Sequence, residues 1–291
     1  MQPMKVDWLS KAEITLHWNL SKEMVTLGGA LTLRVECEMI SEHNRQRVFN
    51  ILISPGANSI QSIESIYETV FKSSILVFNE IKTAASDMLY PDSYITSEKF
   101  LFSFSTERIA LLFNLLRVTP RLEWSEKIYS EVDKILGTLS GRFICLSLKF
   151  SGLRIEDGDA ELATWSEVVR NISVDLGIPV VIIGNDPIPE DFSQDPRVRF
   201  LGREGVSLAA QVALSERSCL YVGMASGMAS AVTFSSTPYL IYKHPEYHPE
   251  LMHRELGEFD SLPWANRQQK IFRKIPGSID VVAQIVRILS E

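Results

Sequence analysis

From Arg142 to the C-terminus, short apolar runs alternate with longer segments of helical periodicity. The apolar runs are FICLSLKF (143–150), IPVVIIG (178–184), VRFLG (198–202), CLYVG (219–223) and PYLIYK (238–243), and the helical segments span 160–177, 206–218, 226–236 and 278–291. Strands that alternate with helices in this way are joined by crossover connections and pair in parallel. The uninterrupted run 178–184 is typical of a central strand that is buried on both faces. The pattern predicts an α/β domain built on a parallel sheet.

The N-terminal half is less regular but has the same character. Strands are predicted over 13–18, 47–54 and 74–79, and helices over 29–44, 59–74, 107–118 and 123–139, while residues 80–104 receive no assignment. The tetrapeptide LSGR (139–142) separates the last of these helices from a strong strand. The length of 291 residues also favours about two domains. We therefore predict an abbreviated α/β domain over residues 1–140 and a second α/β domain over residues 141–291.

The charge balance excludes one class of partner. The net charge is −7, and the 29 Lys and Arg residues are scattered along the chain. A surface that neutralises nucleic-acid phosphates needs clustered Lys and Arg, so we expect no nucleic-acid partner. An acidic protein can still bind a nucleotide through backbone amides and one or two well-placed cations.

Cysteine usage and hydropathy bear on the compartment. Cys37, Cys145 and Cys219 lie far apart in apolar segments without a CxxC pair, which predicts buried thiols in a reducing compartment. The N-terminal stretch MQPMKVDWLSKAE lacks the apolar core of a signal peptide. No window of the sequence approaches the roughly 18 apolar residues that span a bilayer. These features predict a cytoplasmic protein with at most peripheral membrane contact.

One turn in the second half is the most informative part of the sequence. A buried strand ends at Gly223, and the small residues that follow, among them Ser226 and Gly227, open a helix. Ser226 is a suitable N-cap. The amides of Gly227, Met228 and their neighbours would face the carboxyl edge of the sheet, where the helix dipole favours a phosphate. A plain strand–turn–helix, in which the small residues only permit close packing, is the alternative interpretation.

Two cations lie close to the carboxyl edge of the same predicted sheet. Lys149 ends the first strand of the domain and Arg203 follows the run VRFLG, so both project toward the edge where open α/β sheets bind ligands. There they would stabilise a departing nucleotide diphosphate electrostatically, without a metal. Solvated surface cations are the alternative. Asn185 and Asp186, after VVIIG, would reach a nucleotide base or ribose, although turn-forming residues are common at such positions.

Four segments carry a resemblance to a known group of transferases. They are FICLSLKFSG (143–152), PVVIIGND (179–186), VRFLGREGVSLAAQVALSERSCLYVG (198–223) and SGMASAVTFSSTPYLIYK (226–243), about a third of the chain. In order and spacing they resemble the C-terminal domain of GT-B glycosyltransferases. The nearest pattern is that of the heptosyltransferase-like group, glycosyltransferase family 9, which contains the ADP-heptose:LPS heptosyltransferases. At the turn 224–230, the D-[ST]-G-x-x-H-like string of that group is matched only by Ser226 and Gly227.

The resemblance implies an α/β fold of two Rossmann-like domains of GT-B type, the N-terminal one abbreviated. The N-terminal domain would hold the acceptor, and the C-terminal domain would hold the nucleotide-sugar. The nucleotide-binding residues predicted for the C-terminal domain are Ser147, Lys149, Gly184, Asn185, Arg203, Ser226, Gly227, Met228 and Ser230.

In the N-terminal half, Gly28 and Gly29 follow a predicted strand and lie at the start of a helix. They resemble the Gly-rich loop that GT-B enzymes place near the acceptor and the donor phosphate, and a tight turn without a ligand is the alternative. Glu23 or His17 would supply the general base that deprotonates an acceptor hydroxyl. That role needs a pKa near the working pH and hydrogen-bond reach of the proton.

The stretch KHPEYHPELMH (243–253) contains three histidines, His244, His248 and His253. Their spacing differs from the H-E-x-x-H arrangement, and Pro245 and Pro249 are expected to prevent a helix that would align them. We predict a loop here and no metal site.

The sequence thus predicts a metal-independent glycosyltransferase that moves a sugar from a nucleotide-activated donor to a hydroxyl of a saccharide or lipid-linked acceptor. The nucleotide-sugar is the substrate, and no further cofactor is expected. Two alternatives stay open. One is a nucleotide-sugar epimerase or hydrolase of the same fold, which needs cleft carboxylates and histidines that the chain offers sparingly. The other is a non-catalytic nucleotide or sugar-phosphate binding protein, favoured by the unmatched Asp and His near Ser226.

Overall fold

The chain divides into two units, Met1–Ser125 and Glu126–Glu291, called here the first and second unit. A computed structural model describes residues 14–19, 26–44, 48–54, 60–73, 77–79, 89–90, 105–139, 141–150, 159–246, 249–256 and 261–291. The division lies before the predicted boundary at 139–142. The physical reason is that the helix Glu126–Leu136 packs against the helix Leu208–Ser215 of the second unit.

The first unit is an α/β unit with a parallel sheet. Its strands are β1 (Ile14–Asn19), β2 (Val48–Ser54), β3 (Val77–Asn79) and β4 (Leu89–Tyr90), in the order β3-β2-β1-β4. Its helices are α1 (Leu27–Asn44), α2 (Ile60–Val70) and α3 (Ser105–Leu116). The described part of this sheet has four strands, against six in the sheet of the second unit.

Helix α1 is buried on almost every side, and charged residues lie among its buried positions. Arg34 and Glu36 are both fully buried. The Arg34 guanidinium donates from Nε to Glu38 Oε1 at 2.7 Å and to the backbone carbonyls of Val70 and Glu123. It also lies over the ring of the buried Trp124, 4.4 Å from the ring centroid.

A second ion pair joins α1 to α3. The Arg108 guanidinium donates to both carboxylate oxygens of Glu36, at 2.9 and 2.8 Å. Two parallel N–H···O bonds of this kind fix the geometry as well as the charge balance. The charges of α1 are therefore neutralised inside the unit, as burial demands.

Glu38 makes the stability of the first unit depend on pH. Burial raises the pKa of Glu38 to about 7, although the adjacent Arg34 guanidinium lowers it. The ordinary value is 4.5, so the folded chain binds more protons than the unfolded chain between these two pH values. The proton bound to Glu38 therefore stabilises the fold. Its contribution to the free energy of unfolding is complete below the unfolded pKa and is lost as the pH rises through the folded pKa.

We expect Glu38→Gln to abolish this loss, which for one proton is at most about 1.4 kcal/mol per pH unit. Urea denaturation at about pH 5 and about pH 7.5 measures it, and the wild type should lose stability relative to the variant at the higher pH. Glu42→Gln is the matched control, because Glu42 is an exposed glutamate of the same helix. A wild type and a Glu38→Gln variant with the same pH dependence would refute the assignment.

The second unit is built on a six-stranded parallel sheet. Its strands are β5 (Ile144–Ser147), β6 (Val180–Ile183), β7 (Val198–Phe200), β8 (Leu220–Met224), β9 (Tyr239–Tyr242) and β10 (Gln269–Phe272), in the order β10-β9-β8-β5-β6-β7. This is the strand order of doubly wound Rossmann sheets, and its topological switch point lies between β5 and β8. Ligands of such sheets bind at the carboxyl ends of the strands beside the switch point.

Among its described residues, the second unit has six α-helices. They are α4 (Glu126–Leu136), α5 (Leu162–Arg170), α6 (Leu208–Ser215), α7 (Gly227–Val232), α8 (Pro249–Leu256) and α9 (Ser278–Ser290), with a π-helical turn over Asn171–Asp175 and a 3₁₀ turn over Glu190–Phe192. The predicted helix 160–177 corresponds to α5 and the π-helical turn. Among the described residues, no helix is long and apolar enough to cross a membrane.

The central strands are buried because helices cover both faces. Every residue of β5, β6, β8 and β9 is buried. On one face, Trp165 and Val168 of α5 and Ile285 of α9 are fully buried against the sheet. At about 25 cal/mol per Å² of apolar surface removed from water, such a core supplies the main stabilising term of the unit.

Two elements of the second unit differ from the prediction. Residues 249–256 form α8, although Pro249 was expected to prevent a helix. Pro249 is the first helical residue, where proline is tolerated because that N–H has no partner within the helix. Residues 269–272 form β10 at the edge of the sheet, where the sequence predicted no strand. The predicted strand 143–150 is also shorter, since β5 ends at Ser147.

Candidate functional site

The carboxyl ends of β5 and β8 bring three hydroxyl groups together at the switch point. In the parallel register Ser147 lies opposite Gly223. The Tyr221 hydroxyl donates to Ser147 Oγ at 2.7 Å, and Ser147 Oγ lies 3.3 Å from Ser226 Oγ. Tyr221 is fully buried, Ser147 is 1% exposed and Ser226 is half-buried. The three hydroxyls therefore form a cluster that extends from the interior of the sheet to its carboxyl edge.

Gly223 permits the close approach of the two strands. A Cβ at this position would lie 2.1 Å from the Ser147 carbonyl oxygen and 3.1 Å from the Ser147 backbone nitrogen. Since these are backbone atoms, a side chain at 223 would force β5 and β8 apart. The glycine at the end of the predicted strand is required by packing between strands.

Ser226 is the N-cap of α7, as predicted. Its backbone is extended, and its side-chain oxygen accepts the Ala229 N–H at 3.3 Å. Helix α7 has only six residues instead of the predicted 226–236, so its dipole is short. Ser230 donates from Oγ to the Ser226 carbonyl at 3.2 Å, and the Met228 side chain is buried. Any affinity for an anion therefore has to come mainly from individual donors at this edge.

The end of β6 is held by a buried glutamine. Gly184 has a φ of +110°, a conformation that favours glycine. Its N–H donates to Gln211 Oε1 at 2.8 Å, and Gln211 Nε2 donates to the Val206 carbonyl at 2.9 Å and to Asn185 Oδ1 at 3.4 Å. Gln211 is fully buried in α6, so its hydrogen bonds fix the position of the loop that carries Asn185.

Lys149 and Asp186 meet at the same carboxyl edge. The Phe150 N–H donates to Asp186 Oδ1 at 3.0 Å, which ties the segment after β5 to the loop after β6. Burial raises the pKa of Asp186, while the bond from Phe150 and the charge of Lys149 lower it. The charge of Lys149 therefore lies near the Asp186 carboxylate at this edge of the sheet.

No protein-family model matches this sequence, and neither does any curated protein. Solved structures do match. A glycosyl transferase family 9 protein from Veillonella parvula has a TM-score of 0.60 at 12% identity, over 97% of this chain and 98% of that chain. Heptosyltransferase WaaC of E. coli with ADP has a TM-score of 0.57 at 10% identity, over 94% and 99% of the two chains. The chain has the GT-B fold.

A third solved structure supports the same fold. The dodecameric iron-containing heptosyltransferase TibC, in complex with ADP-D-β-D-heptose, has a TM-score of 0.51 at 12% identity, over 97% of this chain and 76% of that chain. The GT-B fold confirms the predicted α/β fold class. It also agrees with the resemblance found in residues 142–243.

Arg203 takes a defined position beside the edge strand β7 of the second unit. Its guanidinium donates to the carbonyls of Ile188 and Pro189, at 2.6 and 3.0 Å, and lies 3.9 Å from the centroid of the Phe200 ring. These contacts hold the loop after β6 against β7. A direct contact between Arg203 and a nucleotide stays a prediction.

The site residues predicted in the first unit are only partly described. His17 lies in β1, and Glu23 lies outside the described residues. Gly28 and Gly29 lie in the first turn of α1, where the Gly29 N–H donates to Thr26 Oγ1 at 3.1 Å. This is a side-chain cap of the helix. The roles of Gly28 and Gly29 at a phosphate, and of His17 or Glu23 as a base, stay predictions.

The described ranges contain no group of three or more His, Cys, Asp or Glu side chains that would hold a metal ion. His244 Nδ1 accepts the Glu246 N–H at 3.3 Å, His253 lies in α8, and His248 lies outside the described residues. Cys37 and Cys145 are buried thiols as predicted, and Cys219 is half-buried. Burial raises the pKa of the Cys145 thiol, which makes it unreactive.

Two residues of the site were absent from the sequence predictions. Tyr221 lies inside an apolar run and has the pattern of a core residue. Gln211 is the one strongly polar side chain in the apolar helix LAAQVALS. A lone amide in a helix that is otherwise apolar requires buried hydrogen-bond partners, so the sequence did contain a signal for Gln211.

Proposed function

We propose that this chain transfers a sugar from a nucleotide-activated donor to an acceptor hydroxyl, and that it does so without a metal ion. The observation that carries the proposal is the convergence of hydroxyls at the switch point, where Ser147 Oγ and Ser226 Oγ lie 3.3 Å apart; Lys149 follows Ser147 by two residues. Hydroxyl donors and one cation at the carboxyl edge of a Rossmann sheet suit a diphosphate.

The proposed ligand class is a nucleoside diphosphate and its sugar. Two proteins of similar fold support it, because WaaC was solved with ADP and TibC with ADP-D-β-D-heptose. The proposed binding residues are Ser147, Lys149, Gly184, Asn185, Arg203, Ser226, Gly227, Met228 and Ser230. The first unit would bind the acceptor, a saccharide or a lipid-linked sugar, with Gly28 and Gly29 near a phosphate and His17 or Glu23 as the base.

Charge stabilisation is the chemical task of the proposed donor site. As the bond between the sugar and the diphosphate breaks, negative charge develops on the leaving diphosphate. Lys149 and the Ser226 hydroxyl would donate to that charge, and Arg203 would contribute if it leaves its carbonyl partners. Preorganised donors that act where charge develops contribute the largest single term in many enzymes.

A non-catalytic binding protein is the second candidate. In the D-[ST]-G-x-x-H-like string of the heptosyltransferase group, the Asp and His positions are occupied here by Ala225 and Ser230. The Ser230 hydroxyl is engaged by the Ser226 carbonyl. A chain without these two side chains would keep the diphosphate site and lose turnover.

A thermal-shift screen tests the proposal. ADP, GDP, UDP, dTDP and CMP are added to the full chain, each with Mg²⁺ and with a chelator. A ligand at 100 times its Kd stabilises the fold by about 2.7 kcal/mol, so one nucleoside diphosphate should raise the melting temperature equally in both conditions. A response to none of them would refute the donor site, and a response that needs Mg²⁺ would refute metal independence.

Turnover separates the two candidate functions. With the nucleotide-sugar of the stabilising diphosphate and a panel of saccharide and lipid-linked acceptors, the transferase releases the nucleoside diphosphate and forms a glycosylated acceptor. A binding protein gives the thermal shift without either product.

A further inference from the structure

The last helix of the second unit is apolar on two of its faces. Helix α9 buries Val281, Ile285 and Ile288 against the rest of the unit. A helix at the surface of a globular protein ordinarily has one apolar stripe toward the core and polar residues on the opposite face. Helix α9 departs from this pattern, because apolar residues also occupy the face that is exposed to solvent.

The outer stripe of α9 is defined here by Ile279, Ala283 and Val286. These residues are spaced by four and by three positions, so they share one face of the helix. Ile279 is 82% exposed, Val286 is 44% exposed, and Ala283 between them is also exposed. Exposed apolar residues that are grouped in this way, rather than scattered singly, are typical of a surface that another molecule covers.

Two opposite charges border the outer stripe on the same flank. Asp280 and Arg287 each follow an outer residue of the stripe, so a rotation of about 100° places both on one side of it, about two turns apart. Within the chain, Asp280 accepts from Lys274 at 3.1 Å, and Arg287 Nε lies 3.9 Å from Glu291. Both pairs are exposed, and exposed pairs contribute little to stability. Asp280 and Arg287 can therefore exchange these partners for others.

The exposed face of α9 is complementary to itself. When two copies of the helix run antiparallel about a two-fold axis near Ala283, their charged flanks lie on the same side and the order of the charges is reversed. Asp280 of each copy then faces Arg287 of the other, and the outer stripes pack on each other. In a parallel pair the charged flanks would lie on opposite sides and the charges would not meet. Two-fold dimers use the same patch of both subunits in this reciprocal way.

We propose that α9 forms the interface of a homodimer, in which the outer stripe packs antiparallel against the same stripe of a second copy and Asp280 pairs reciprocally with Arg287. The small side chain of Ala283 lies at the crossing and permits a close approach of the helices. One face of this 13-residue helix is about 20 Å long and about 10 Å wide, which is small beside the roughly 800 Å² per partner of a stable interface. We therefore expect a reversible dimer with a Kd on the order of 10 to 100 µM. Dimerisation through α9 does not depend on the proposed sugar transfer.

Sedimentation equilibrium of the full chain between about 5 and about 500 µM, a range that brackets the expected Kd, tests the interface. The wild type should pass from monomer to dimer over this range. Ala283→Glu places two carboxylates together at the two-fold axis and should weaken dimerisation about tenfold or more. Gln284→Glu is the matched control, because it adds the same charge one position further, about 100° around the helix, and it should dimerise like the wild type. A wild type that stays monomeric at the highest concentration, or Ala283→Glu that dimerises like the control, would overturn the inference.

Exchange of the two charges tests the antiparallel arrangement. Asp280→Arg brings two arginines together at each contact, and Arg287→Asp brings two aspartates together, so each variant should raise the Kd of the dimer about tenfold. The double variant restores opposite charges at both contacts, and its Kd should return to within about threefold of the wild-type value. Single variants that dimerise like the wild type, or a double variant that dimerises no more tightly than the single ones, would overturn the antiparallel pairing.

Discussion

Arg34→Met is expected to lower the free energy of unfolding by about 3 to 5 kcal/mol, the range found when one partner of a buried ion pair is removed. Arg34 is fully buried, and it donates to Glu38 and to the carbonyls of Val70 and Glu123. Methionine keeps most of the side-chain length and all of its apolar stem. It leaves the Glu38 carboxylate and two carbonyl oxygens without their donor, and it removes the cation over Trp124.

Urea denaturation measures this change, with Arg121→Met as the matched control. Arg121 also pairs with carboxylates of the first unit, Glu42 at 3.4 Å and Glu123 at 3.0 Å, but its side chain is 56% exposed. Exposed pairs contribute about 0 to 1 kcal/mol, so this variant should unfold close to the wild type. Equal stability of the two variants would show that the Arg34 network does not hold the first unit together.

Gly223→Ala is expected to destabilise the second unit by about 3 kcal/mol, at the upper end of the ordinary cost of overpacking. The added Cβ would lie 2.1 Å from the Ser147 carbonyl oxygen, and no rotamer change relieves a contact with backbone. For a unit of this size the melting temperature should fall by about 6 to 12 °C. Because β5 and β8 would separate at the switch point, stabilisation by a nucleoside diphosphate should also be lost.

Gly137→Ala is the control for this substitution. Its Cβ would lie 3.5 Å from the Asp133 carbonyl oxygen, which is ordinary contact, and its effect should stay within about 1 kcal/mol. Differential scanning calorimetry of both variants, with and without the nucleotide, gives the comparison. The close approach of the two strands would be contradicted if Gly223→Ala had the same melting temperature as Gly137→Ala and were still stabilised by the nucleotide.

The elements that the sequence predicts well are those whose burial pattern is local. The run 178–184 is apolar throughout because β6 is covered on both faces, and α5 has buried positions at helical spacing. Strand β10 was not predicted from the sequence, because Gln269 and Lys270 break the apolar run at this edge of the sheet. Helix α8 was not predicted either, because the sequence alone does not distinguish a proline at the first helical position from a proline that breaks a helix.

The same distinction between local and long-range contacts holds for the residues of the site. Ser226 was predicted as an N-cap from its immediate neighbours, and the structure confirms the cap. Tyr221 was not predicted, because its partner Ser147 lies 74 residues away in the sequence and meets it only through strand pairing. Contacts of this kind depend on sheet register, which a single strand does not encode.

The central claim is that the carboxyl edge of β5 and β8 binds a nucleoside diphosphate, and titration calorimetry tests it most directly. The nucleoside diphosphate identified by the thermal-shift screen is titrated into the wild type, Lys149→Ala and Lys127→Ala, where Lys127 is an exposed lysine of α4. A hydrogen bond to a charged group contributes about 1.5 to 3 kcal/mol, so Lys149→Ala should bind roughly 10- to 100-fold more weakly, and Lys127→Ala should bind like the wild type. Lys149→Ala that binds with wild-type affinity, or a wild type that gives no heat with any nucleoside diphosphate, would contradict the claim.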